Sequence, residues 1–431
     1  MSRAPETGRG PGGMRAVRRA LRGPLRILVF AAFGLSAGFA GEVPSPLFYE
    51  SESEFLQDVD NAQFDQHLEL HLLEYSVDSR WAADWAARRY SSSGLLGAYG
   101  SISSQQLFVD SDVALNLFPH ERFQLRYEWK AYQEKRFDVT EQRLDAVWYA
   151  SSGWGVVVTG WPAYQKEEIA GGIGFKIGKP KSTKYLVVRA VDERLIWNEK
   201  TESGLRFTSA PLRIVADGNF DGGRYRVSGS VDYGLAYEAV DEEPEGDVAD
   251  RAVRGHQRFS DVVVERSSEG WAAGVRLTLG SLARRQEDAS GAVFDLDRVY
   301  GRVILSGRRE MKGWTALGLA GVARQRDDSS SPEYPASAYT MNAFLIGAEG
   351  SKRLGKGLDL RAGYLGNFWR GERTGSSDGL LSAREEDTYA DKVHLRALYT
   401  FRPEMAFEFL LSQTLSGSRF GGASLKALLV F

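Results

Sequence analysis

The sequence predicts an all-β fold, a transmembrane antiparallel β-barrel of about eighteen strands. Three observations predict it. Apolar and polar residues alternate with period two, first at His67-Leu68-Glu69-Leu70-His71-Leu72 and then from Leu107 almost to the end. The connections between alternating segments are themselves alternately short and long. The chain ends on a strand, Gly422–Phe431, whose Leu425, Ala427, Leu429 and Phe431 point one way while Ser424 and Lys426 point the other.

Composition agrees. Aromatic residues make up 12% of the chain, with 47 Gly and 13 Pro, a balance that favours strands and turns over long helices. A mean hydropathy of -0.32 reads as soluble for a helical protein. In a transmembrane barrel it is ordinary, because every second strand residue faces water. The absence of cysteine excludes disulfides and cysteine-ligated metals. The N-terminus reads as a secretory leader. Arg15, Arg18, Arg19, Arg22 and Arg26 precede the apolar run Ile27–Leu35, and small residues follow up to Ala40. After it, no stretch approaches the eighteen apolar residues that a helical span needs. The expected division is a signal peptide over 1–40, a periplasmic tail over 41–63 and the barrel over 64–431.

Taken in order, the acidic tail (Glu50, Glu52, Glu54, Asp58, Asp60) is a flexible segment or a docking segment for a periplasmic partner. His67–Leu72 is the first strand, and Ser76–Gln106 the first external loop. That loop carries Trp81 and Trp85 at i,i+4 beside Arg88 and Arg89. Such a short helix either forms a constriction in the pore or caps the rim. Short turns fall near Pro119–Glu121, Ser151–Gly153, Lys179–Thr183, Gly218–Gly223, Ser267–Glu269, Arg309–Lys312, Leu354–Lys356 and Pro403. Longer polar links lie between them, near Glu134–Thr140, Pro162–Ala170, Asn198–Arg206, Glu238–Gln257, Arg284–Ala292, Gln325–Ser337, Gly371–Asp387 and Ser416–Gly421. Short turns belong to the periplasmic rim and long loops to the extracellular one. Phe123, Trp154, Tyr185, Tyr225, Trp271 and Trp314 each follow a short turn, as an interfacial aromatic girdle requires. The count from Leu107 is seventeen strands, and His67–Leu72 makes it even. Sixteen stays open, because Trp161–Gly172 is the least strand-like region.

With the apolar face on lipid, the alternate residues line the lumen. Phe123, Leu125, Tyr127 and Trp129 point out, leaving Gln124, Arg126, Glu128 and Lys130 inside. The same reading places Arg143, Arg213, Arg226, Arg276, Arg302, Arg361, Lys392, His394, Arg396 and Lys426 inside, with fewer acidic companions: Glu69, Asp110, Asp112, Asp145, Asp232 and Glu408. An excess of basic groups favours anions. The competing reading is an arginine–carboxylate ladder across the strands.

Catalysis and metal chemistry find little support. His67 and His71 on one strand lie roughly 13 Å apart, too far to share a metal. His394 has Ser412 on the next strand, but the sequence supplies no third partner. No cofactor, metal or nucleic-acid partner is expected, and the chain is not expected to be an enzyme.

The leader, the loop alternation and the terminal Phe431 strand together resemble the bacterial outer-membrane β-barrel proteins, over about Gln66 to Phe431. The resemblance implies an outer-membrane location, a lipid surround and reading of Phe431 by the barrel assembly machinery. Eighteen-stranded relatives look like substrate-selective porins or like exporters of acidic exopolysaccharide. Two functions are thus expected side by side: a passive channel for small anionic or saccharide solutes, and an exopolysaccharide export pore. A non-conducting scaffold is the third.

Overall fold

Among the described residues, twenty strands follow one another in the computed structural model, each antiparallel to its neighbours. The structure describes residues 49, 51, 53, 55, 88–103, 106–134, 137–162, 168–197, 205–241, 250–332, 336–355, 357–375, 384–402, 404–415 and 419–431. The first seven strands are β1 (Gly94–Ser103), β2 (Gln106–His120), β3 (Phe123–Glu134), β4 (Phe137–Ser151), β5 (Trp154–Pro162), β6 (Glu168–Ile177) and β7 (Tyr185–Trp197). Two staves are each broken into a short and a long strand. They are β8 (Leu205–Ser209) with β9 (Leu212–Asp221), and β10 (Tyr225–Gly234) with β11 (Tyr237–Asp241). Pro211 at the first break has no N–H to give a ladder. The rest are β12 (Arg251–Ser268), β13 (Trp271–Asp288), β14 (Val293–Met311), β15 (Trp314–Ser330), β16 (Ser337–Arg353), β17 (Leu358–Gly375), β18 (Arg384–Arg402), β19 (Met405–Thr414) and β20 (Arg419–Val430).

Pairing of β20 back onto β1, from Leu95↔Val430 to Ile102↔Ala423, closes the sheet into an eighteen-stave barrel. Closure removes the sheet edges, which a lipid environment demands. The seam is completed at its end by Phe431 N–H donating to Gly94 O (2.8 Å) and Ser93 N–H donating to Phe431 O (3.1 Å). Hairpin turns carry glycines where the backbone goes left-handed, as at Gly270 (φ 71°) and Gly313 (φ 78°), a region glycine enters without steric cost.

Of the eighteen staves, seventeen begin at β2, as expected. The remaining one is β1, which lies inside Ser76–Gln106, the stretch expected as an external loop. Its alternation is hidden by small residues, Gly94, Gly97, Ala98 and Gly100, that carry no polarity signal. Of the expected first strand and loop helix, His67–Leu72, Trp81 and Trp85 lie outside the described residues. The strands facing the long-loop rim also extend further than expected. β14 and β18 reach 19 residues, and β13 and β14 leave only Ala289–Ala292 between them. Polar residues that read as loop, such as Arg284–Asp288, continue the ladder, because a ladder above the bilayer needs no apolar face.

The convex face carries an apolar belt that includes Leu117, Leu144, Trp148, Val158, Ile173, Phe175, Leu395 and Phe409, all exposed. So much contiguous apolar surface fits lipid and not water. Phe123, Trp154, Tyr225, Trp271 and Trp314 stand on this face at the short-turn end, with the guanidinium of Arg266 over Tyr225 and Trp271 and the ammonium of Lys352 over Trp314. These cations sit where headgroup phosphates lie. Tyr185 departs from the girdle reading. It is buried, in register with buried Asn219 on the concave side. Both faces of β7 are apolar near that end (Val187 in, Leu186 and Val188 out), so hydropathy could not fix its parity.

A charge on the belt is expected to be costly. Val158→Arg (native side chain 56% exposed) should lose about 2–4 kcal/mol in unfolding from lipid vesicles. Arginine at the exposed rim position Leu354 should cost at most about 1 kcal/mol.

Candidate functional site: a charge network in the lumen

Strand parity points Asn116, Gln124, Arg126, Glu128, Arg143, Asp145, Tyr149, Thr159, Lys176, Arg189, Asp217 and Asn219 to the concave side of β2–β9, and all are buried. They form one network near the short-turn rim, and its centre is Asp145. This carboxylate accepts from Thr159 Oγ1 (2.7 Å), Arg189 (2.7 Å), Arg126 (3.3 Å) and the Tyr90 hydroxyl (3.3 Å). Arg189 also donates to Asp217 (2.8 Å). Glu128 bridges Arg126 (2.7 Å), Arg143 (2.6 Å) and Arg89. Lys176 donates to the Tyr149 hydroxyl, and its ammonium lies over the Tyr149 and Tyr90 rings at 4.7 and 5.8 Å.

The network grips the segment just before β1. Asn116 Nδ2 donates to the carbonyls of Arg89 (3.1 Å) and Ser92 (2.7 Å), and Gln124 Nε2 donates to that of Tyr90 (3.3 Å). The Tyr90 ring packs at a tilt against Tyr185, with centroids 4.4 Å apart, and lies beneath the Arg126 guanidinium, also at 4.4 Å. Arg88 and Arg89, expected in an external loop, therefore stand at the opposite, short-turn rim. They lead into β1.

A second anchor lies at the long-loop rim. Tyr49 and Phe55, within the expected periplasmic tail, are buried against Phe294 and Leu296 at the start of β14. Gln286 clasps the Tyr49 backbone, accepting from its N–H (2.7 Å) and donating to its carbonyl (2.9 Å). A flexible tail does not describe these two residues, whose rings fill an apolar notch.

The remaining basic residues read from the sequence as luminal also face inward, and most meet carboxylates. Arg276 makes a bidentate pair with Asp261 (2.8 Å twice). Arg213 meets Asp232 and Glu193, Arg226 meets Asp221 (3.8 Å), and Lys130 meets Glu128 (4.0 Å). Arg302 donates to Thr278 (3.2 Å). Arg361 meets Asp359 (3.5 Å) and Glu349 (3.7 Å), and Arg396 meets Glu408 (3.4 Å) and Glu349 (3.8 Å). Lys392 is buried on the same wall. The cross-strand ladder is thus present. Sequence reading missed Tyr90, Lys176, Arg189 and Asp217. The available signal was a single charge at an inward position of an otherwise apolar strand, as in Gly174-Phe175-Lys176-Ile177. Among the described residues, no group of three or more His, Asp or Glu is placed to hold a metal.

No family model matches the chain, and no curated protein matches it. Solved structures do. A loop-deletion mutant of OmpT, an outer membrane protein of Vibrio cholerae, is 11% identical, with 78% of this chain and 97% of that one covered and a TM-score of 0.38. OccK2 of Pseudomonas aeruginosa, solved with glucuronate, is 11% identical over 79% and 96%, with a TM-score of 0.34. A bacterial polysaccharide outer membrane secretin is 9% identical over 79% and 99%, with a TM-score of 0.34. Likeness this distant says nothing of cargo. The architecture speaks for itself: closed antiparallel pairing, an apolar convex belt, aromatic rims and a charged interior. The chain is a closed eighteen-stave antiparallel β-barrel that resembles those of the bacterial outer membrane.

Proposed function

We propose that the barrel is a passive outer-membrane channel for anionic or sugar-type solutes, narrowed at its periplasmic mouth by Arg88–Ser93. One observation carries the reading. Among the described residues of the mouth network, six cations (Arg89, Arg126, Lys130, Arg143, Lys176, Arg189) face three carboxylates (Glu128, Asp145, Asp217), and Lys176 touches none of the three. Net positive charge in a low-dielectric mouth raises the local concentration of anions. Trp161, half-buried on the same wall, adds an aromatic surface of the kind sugars pack on. The wide-barrel geometry supports the channel, since eighteen staves enclose more space than their side chains fill. An acidic exopolysaccharide would meet the same chemistry and is the second reading.

The test is the reversal potential in a planar bilayer under a salt gradient. Wild type should prefer anions, and Lys176→Gln with Arg143→Gln should move the permeability ratio toward unity. Cation preference in the wild type would refute the proposal. Phe431 is proposed as the signal to the assembly machinery, since its ring is exposed at the seam. Deleting it should reduce the surface-accessible barrel in cells while leaving refolding into detergent intact.

A further inference from the structure

One straight rung of the ladder crosses five strands on the concave side: Glu349 (β16), Gly363 (β17), His394 (β18), Ser412 (β19) and Gly422 (β20). We propose that this rung is an acyl-transfer site, with Ser412 as nucleophile, His394 as base and Glu349 as the group that orients His394. It lies outside the mouth network and goes beyond the channel reading.

The arrangement is built. His394 Nε2 meets Glu349 Oε2 at 2.9 Å although β17 runs between their strands. Gly363 permits this, for a Cβ there would stand 2.6 Å from His394 Cε1. Any side chain at 363 would push the imidazole off its carboxylate. An ionised carboxylate only accepts, so Nε2 carries a proton, and in the neutral imidazole Nδ1 carries the lone pair. Nδ1 is buried and has no hydrogen-bond partner, on a side chain only 4% exposed. Such an atom calls for an explanation. Ser412 is the direct cross-strand partner of His394, a pairing that sets the two Cβ atoms about 4.5–5.5 Å apart. Its Oγ now donates to Gly422 O (3.1 Å), and the proposed reaction has it leave that carbonyl for the imidazole by rotation about χ1. Two residues along β18, on the same face, Arg396 offers Nε and one terminal nitrogen that hold no hydrogen bond. Arg361 stands opposite it. Guanidinium donors beside a hydroxyl suit an oxyanion and an anionic substrate.

The substrate class is therefore a carboxylic ester of an anionic solute. Ser412 Oγ bonds to the ester carbonyl carbon while His394 Nδ1 takes the hydroxyl proton. The tetrahedral oxyanion faces Arg396. The ester C–O bond then breaks, and the alkoxide leaves with the proton from Nδ1. Water, deprotonated by the same nitrogen, releases the acyl group as a carboxylic acid and returns the proton to Ser412.

The test is labelling of the folded full-length barrel in detergent with a fluorophosphonate, located by peptide mass spectrometry. Labelling is run on wild type, on an Arg89→Ala/Tyr90→Ala barrel that widens access, and on Ser412→Ala, His394→Gln and Gly363→Val. Ser412 should be labelled in the first two, and not in Ser412→Ala. His394→Gln should slow labelling on the order of a hundredfold or more. Gly363→Val should slow it too, though it leaves all three functional groups present. Unmodified Ser412 in both accessible barrels, or a rate indifferent to His394→Gln, would overturn the proposal. Conductance is read separately: a barrel that conducts but does not label loses only the acyl-transfer site, and one that labels but does not conduct loses only the channel.

Discussion

Replacing Asp145 with alanine is expected to destabilise the barrel by about 3–5 kcal/mol, the cost of stranding buried charge. Asp145 is 0% exposed and accepts from Arg126, Arg189, Thr159 and Tyr90 together. Without it, Arg126 and Arg189, also fully buried, keep their desolvation and lose their shared counter-charge. Asp145→Asn keeps the shape but not the charge and should cost less than alanine, while still weakening both arginine contacts. Equilibrium urea unfolding in lipid vesicles, followed by tryptophan fluorescence, measures the difference. A loss below about 1 kcal/mol, the scale of an exposed pair, would mean that water reaches the network and that it is no latch.

The second large effect concerns conductance. Arg89→Ala with Tyr90→Ala removes the two side chains by which the segment before β1 is bound to Glu128, Asp145 and Arg189. The carbonyl contacts from Asn116 and Gln124 remain, but they lose the ring that packs the segment against Tyr185 and Arg126. Freed from the wall, the segment no longer narrows the periplasmic mouth, so single-channel conductance should rise severalfold over wild type. The barrel itself should stay closed, because its seam rests on backbone bonds between β1 and β20. Equal conductance in the two proteins, both folded by heat-modifiability on a gel, would show that Arg88–Ser93 does not limit flow.

Much of the barrel was legible because a membrane makes parity unforgiving. Alternation around Gln124–Lys130 and Lys392–Arg396 assigned the inward residues, and the structure places them inward. What failed did so where parity carries no signal. β1 is built of glycine and alanine among apolar residues, and Tyr185 begins a strand apolar on both sides. The long strands were underestimated because polar residues above the bilayer satisfy a ladder as well as a loop. The pairing of arginines was only half legible. Arg126 with Asp145 is a direct cross-strand pair that counting can find, whereas Arg189 with Asp145 links strands three apart through the lumen. The Glu349–His394 contact is of the same kind. His394 and Ser412 could be paired from the sequence, but the third partner sits two strands from His394, across a glycine.

The most direct test of the channel itself is liposome swelling with the purified barrel, comparing a neutral hexose, a hexuronate and a cationic amino sugar of similar size. The account predicts swelling in the wild type, faster for the hexuronate than for the amino sugar, and faster still for all three in the Arg89→Ala/Tyr90→Ala barrel. No swelling with any solute in either protein, or a faster rate for the cationic sugar, would contradict it.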